Sequence, residues 1–246
     1  MLARHRGPAR SEGRGAVSAE ETSLTPRGDD DAAADFADLG ALFASVVPVV
    51  GGAVSFVLSD WTAQRRYQRV RDVLQGLAKD LQQFKGAVKE EYVRSEEFTD
   101  LLDQTLRRVA NERHEEKRRL YRGVLLGAIT GQAQSYDEQL HMLRVIDSLQ
   151  VAHMALLRAI LQAPDPKYID GLSGSFIETL KRRLPALPEE WIEDLVTQLR
   201  MHEVLNIGGL RTMMTARGAE DMRHVLTPFG QRLVALVSEE PQGGTA

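Results

Sequence analysis

Glu138 and His141 stand three residues apart in "YDEQLHM", a spacing that sets a carboxylate and an imidazole on one helix face, as in di-iron helical bundles. Such a site needs a second Glu-x-x-His and two more carboxylates from facing helices. None of His114, His153 and His202 has a glutamate three residues before it, so the pair reads as a surface pair and no metal site is expected. The sequence has no G-x-x-x-x-G-K-[ST], no G-x-S-x-G and no H-E-x-x-H. It also has no cysteine, which removes disulfides, thiolate zinc sites and thiol nucleophiles. No catalytic residue, no cofactor and no small-molecule substrate are therefore expected. His153, on the apolar side of its helix, reads as a core or cap residue, and Trp191, Met201, Met213 and Met214 read as packing.

The remaining functional signal is charge. Net charge is −4, which gives no general attraction for nucleic acid. It is unevenly placed: residues 1–60 are acidic, 61–131 basic and 132–246 acidic again. Two sets of cations make a candidate interaction surface: Arg65, Arg66, Arg69 and Arg71 in one short stretch, and Lys181, Arg182 and Arg183 together with Arg211 further on. A protein partner or self-association suits such patches.

The first set follows the most apolar part of the chain. Leu39 to Ser59 holds 21 consecutive uncharged residues, the length that a bilayer core of about 30 Å requires. Trp61 stands where an interfacial aromatic would, with the arginines after it on the cytoplasmic side. Pro48, Gly51 and Gly52 oppose a straight span, because proline removes a helix hydrogen bond and glycine weakens a helix interior. On the other reading "PVVGG" joins two short apolar helices buried in a core, with Leu42 and Phe56 as packing residues and glycine-only backbone angles at Gly51 and Gly52. The segment 36–60 is thus a buried apolar hairpin or a membrane-inserting one, and the protein is cytoplasmic with membrane association as the alternative.

The elements around these residues are helical. Residues 1–35 and 239–246 have too few large apolar side chains to offset the entropy of folding and read as disordered tails. From Tyr67 the apolar residues Val70, Leu74, Leu77, Leu81, Phe84 and Val88 recur at 3-4 spacing, a coiled-coil-like seam with Gly76 and Gly86 on its outer side. A second helix begins with Ser95 as N-cap and runs Phe98, Leu102, Leu106 and Val109 along its stripe. It is expected to continue through "NERHEEKRR", read as a solvated face or a hinge, to Leu120, Val124 and Ile129. With a short helix over Tyr136–Ser148, residues 61–148 make a long antiparallel helical hairpin domain.

After Leu149 come three helices stopped or started by Pro164, Pro185 and Pro188, then short strands at 205–207, 211–215 and 226–227, and a closing helix from Pro228 in "LTPFGQRLVALV". That order of elements over residues 149–238 resembles a winged-helix domain, and the whole chain is similar to uncharacterised bacterial helical proteins. The resemblance implies a mainly all-α fold with a small C-terminal β-hairpin. It does not imply DNA reading: the third helix opens with Glu189, Glu190, Glu193 and Asp194, which repel phosphate. The expected function is a non-enzymatic interaction or regulatory protein. A membrane-associated helical protein inserting through residues 39–59 is the alternative, and a DNA-binding transcriptional regulator a weaker one.

Overall fold

The computed structural model describes residues 41, 43, 48–58, 64–84, 87–131, 135–171 and 173–238, with the backbone alone described at 56–58, 64–67, 237 and 238. The expected tails, Leu42, Trp61 and Gly86 lie outside these residues, as do the side chains of Phe56, Arg65, Arg66 and Tyr67. The fold is all-α, with no strand among the described residues.

Helix α1 spans Pro48–Leu58. Proline opens it at a position where the missing N–H costs nothing, and Val50 and Val54, one turn apart, are fully buried. They face α3 (Glu90–Val93) and α4 (Glu96–Asn111). Gly51 and Gly52 lie inside α1, the first buried and the second exposed. Positive φ occurs among the described residues only at Gly131 and Glu203. The glycine pair is therefore helical and makes no joint between two helices, contrary to expectation. With 11 residues, α1 is about 16 Å long, and no described helix is long and apolar enough to cross a membrane.

Helix α2 spans Gln64–Gln83 and packs on α4 and on α5 (Glu115–Thr130). Its seam is as the spacing demands: Leu74, Leu77 and Leu81 are fully buried, and Val70 nearly so. The seam stops sooner than expected, because the helix ends at Gln83 and Phe84 is 37% exposed. Gly76 faces α5, not solvent. The Arg122 side chain crosses above it to reach Asp80 at 2.9 Å, and a Cβ there would strike the guanidinium.

Ser95 caps α4 by accepting the Phe98 N–H at 3.2 Å, and Phe98, Leu102, Leu106 and Val109 are all fully buried. The helix does not continue through "NERHEEKRR". Glu112 and His114 are extended, ψ 125° and 121°, so α4 and α5 are separate elements. Gly131, φ 72°, closes α5 in the left-handed region that only glycine enters cheaply.

Next come α6 (Tyr136–Ser148), α7 (Val151–Leu161), the short α8 (Pro166–Ile169), α9 (Phe176–Arg183), α10 (Glu189–Met201), α11 (Ala216–Glu220) and, after a 3-10 turn at Met222–Val225, α12 (Pro228–Ser238). The expected β-hairpin is replaced by two isolated bridges, Leu205 with Leu226 and Gly174 with Met214. The first bridge brings the 205–207 and 226–227 stretches together at one residue pair without a strand, and the second ties the 211–215 stretch to the segment ahead of α9. α12 packs on both α5 and α7, and Gly230 lets its first turn approach the Val204 carbonyl so closely that no Cβ would fit. Buried apolar residues from Phe43 to Val234 form one contiguous cluster.

Candidate contact surface

The cations of residues 149–238 are the first candidates, and the fold commits them internally. Glu220 is 2% exposed on α11, next to Ala219 and Met222, and α11 packs on α9. Its carboxylate pairs with Arg182 and, at 2.9 Å, with Arg183, while Arg183 also donates to the Ala159 carbonyl at 2.7 Å. The Arg182 guanidinium stacks 3.8 Å from the Tyr168 ring centre. A buried charge needs this completeness, because an unpaired one costs several kcal/mol. Lys181 pairs with Glu189 at 2.5 Å, and Arg211 bridges Glu189 and Glu193 at 2.8 and 2.7 Å. The neighbouring Lys181, with Arg211 beyond it, holds the Glu189 carboxyl below the usual carboxylate range. Of the other expected set, Arg69 donates to the Ala110 carbonyl at 3.0 Å and Arg71 is half-buried.

A second polar knot fills the break between α4 and α5. Lys117, 7% exposed, reaches Glu112 at 3.1 Å and donates to the Asp147 carbonyl at 3.1 Å. The Asp147 carboxylate accepts from Tyr121 at 2.6 Å and from Arg108 at 2.8 Å. Burial alone would raise the Glu112 pKa, but the His114 N–H, the Lys117 ammonium and the His114 ring overcome it and hold the carboxyl at about 2. Burial and the Asp147 hydrogen bond push the Tyr121 phenol up. Every charge in this knot has a partner, so it holds the break in place and offers no free base or nucleophile.

The same logic disposes of the Glu-x-x-His pair. Glu138 is bound by Arg232 of α12 at 2.7 Å, and the His141 ring lies 4.8 Å from that of Phe229. It is a seam between α6 and α12, not a surface pair. His153 is both core and cap: it is 1% exposed, its Nδ1 accepts the Gln150 N–H at 2.9 Å, and burial lowers its pKa. Among the described residues no group of three His, Asp or Glu is placed to hold a metal.

What remains unspent is the outward face of α10. Ile192, Leu195, Val196 and Leu199 turn inward and are buried. By the helical period, Glu190, Trp191, Asp194, Gln198 and Met201 share the opposite side, and all five are exposed. Trp191 is 43% and Met201 77% exposed, with Met213 at 61% in the following loop. These three were expected to be packing residues, and the structure places them outside; Met214 alone is packed against the core. α10 stands as a ridge between two open clefts. One, about 690 Å³, lies between Trp191, the α4–α5 break and the start of α7. The other, about 560 Å³, lies between Glu193, Thr197 and Arg200 and the loop at 207–212.

No family model, no curated protein and no solved structure matches the chain. The surface has to be read from its own chemistry.

Glu220, Lys117 and Asp147 are organising residues that the sequence did not single out. For Glu220 a signal existed: it is the lone acid among Ala216, Ala219 and Met222, on the apolar side of a short helix. For Trp191 and Met201 the signal was the helical wheel itself, which groups them with Glu190 and Asp194.

Proposed function

We propose that this chain is a non-enzymatic interaction protein that presents the α10 ridge to a protein partner. The supporting observation is the contrast on one module: Lys181, Arg182, Arg183 and Arg211 are paired with its own carboxylates, while Trp191 and Met201 stand exposed on the helix that a winged-helix likeness puts in the reading position. Aromatic residues and methionine are enriched at protein contact surfaces relative to the rest of the surface. A helix that opens on Glu189 and Glu190 is poorly suited to phosphate. The winged-helix likeness enters this reading through α7, α9 and α10 only, with the third used for contact.

The test is site-specific photo-crosslinking of the full chain in its native cells, with a photoreactive residue at Trp191 and, as control, at exposed Lys79 on α2. A discrete protein adduct from position 191 and none from 79 is the expected result. Salt-sensitive, micromolar binding of the full chain to random duplex DNA overturns the reading in favour of a DNA-binding regulator.

A further inference from the structure

Glu190 and Asp194 lie one turn apart on the outer face of α10 beside Trp191, and neither forms a salt bridge among the described residues. Their neighbours Glu189 and Glu193 are already occupied by Lys181 and Arg211. The helix thus keeps two uncompensated carboxylates beside its exposed indole. Met201 supplies a second apolar anchor ten residues further, about 15 Å along the axis.

We infer that the α10 face takes a basic amphipathic helix, whose Lys or Arg side chain lies over the Trp191 ring between Glu190 and Asp194 and whose apolar side chain rests on Met201. Charge complementarity selects this occupant. A cation above an indole gains from the ring's negative face, and two carboxylates at its edge add to that gain. Two apolar anchors separated by about three helical turns match a partner helix lying along the ridge. A second copy whose twofold axis passed beside Glu190 and Asp194 would bring those carboxylates together, and self-association of the free chain through this face would overturn the basic-helix occupant. The inference rests on the contact reading above and names the chemistry of the partner.

The probe is an 18-residue Leu/Lys amphipathic helix, with a Leu/Glu counterpart of the same length, titrated calorimetrically into the full chain at physiological salt. The Leu/Lys peptide should bind one to one. E190K/D194K should weaken it at least about tenfold, as should Trp191→Ala, since centrally placed tryptophans carry a large share of contact energy. E91K/E97K changes net charge by the same amount on exposed positions of α3 and α4 and should shift affinity less than about twofold.

Equal binding of the Leu/Glu peptide, or no effect of E190K/D194K, overturns the inference. So does an equal loss from E91K/E97K, because binding would then follow net charge alone. If position 191 crosslinks a protein while those controls fail, the partner chemistry is wrong and the contact reading stands. Capture of random duplex DNA removes both.

Discussion

The end of α9 and the start of α10 carry charged runs only a few residues apart, and the fold treats them oppositely. Lys181, Arg182 and Arg183 are consumed by Glu189 and Glu220, whereas Glu190 and Asp194 stay in solvent. Local sequence does not separate the two cases. What differs is whether a distant segment delivers a counter-charge: Glu220 arrives from 37 residues beyond Arg183, and nothing arrives over Glu190. A charge run reports the residues available for pairing, and the tertiary fold decides which of them stay in solvent.

The sharpest way to break this comparison is to remove the delivered charge. Glu220→Ala leaves Arg183, whose side chain is 7% exposed, without its carboxylate partner, and loss of one member of a buried ion pair costs about 3–5 kcal/mol. Chemical denaturation should show that loss. Glu220→Gln, which keeps part of the hydrogen bonding, should lose less. A loss under about 1 kcal/mol for Glu220→Ala would place the arginines outside the stabilising machinery and return them to the list of contact residues.

The knot at Glu112 makes the same point through pH. Its folded carboxyl titrates at about 2 against an ordinary value of 4.5. A depressed carboxylate contributes stability that is present above the unfolded pKa and is lost as pH falls through the folded one. Stability should therefore decline between about pH 4.5 and pH 2, by up to about 3 kcal/mol from this group. Glu112→Gln should flatten that part of the curve, which stability measured against pH in both proteins will show.

Much of the architecture was legible. The seam at Val70, Leu74, Leu77 and Leu81, the Ser95 cap and the bounds of α6 follow from short-range periodicity and capping chemistry, which the chain expresses within a few residues. The α4–α5 break was not legible. "NERHEEKRR" has good helix formers, and the turn is held by Glu112, which accepts the His114 N–H and pairs with Lys117, together with Asp147 from a later helix, which gathers Lys117, Tyr121 and Arg108. The expected hairpin failed for a related reason: the 211–215 stretch pairs back to Gly174, a choice made by tertiary packing. In the candidate surface, the sequence showed where the cations lie but not that Lys181, Arg182, Arg183 and Arg211 pair with Glu189, Glu193 and Glu220, because those partners are brought up by the tertiary fold.

A substitution of opposite sign sharpens the contrast between buried and open positions. Gly52 is exposed within α1, and a Cβ there would meet nothing within 4 Å. Gly52→Ala should stabilise the protein by about 0.5–1 kcal/mol, the usual difference between the two residues in a helix interior. A loss instead would mean that the backbone at position 52 needs glycine after all.

The smallest expected effect is the most informative about function. Trp191 and Met201 are exposed on a helix whose stability comes from Ile192, Leu195, Val196 and Leu199 on the other side. Surface substitutions away from buried partners shift stability by about 0.5 kcal/mol or less, so Trp191→Ala and Met201→Ala should each leave the denaturation midpoint nearly unchanged. Leu195→Ala, four residues along the same helix but fully buried, should cost about 2–5 kcal/mol. Trp191 is 43% exposed, so its truncation tests how much the covered part of the indole contributes to the fold. If Trp191→Ala destabilises the protein as Leu195→Ala does, the residue belongs to the core after all, and the ridge is no longer a surface held open for a partner.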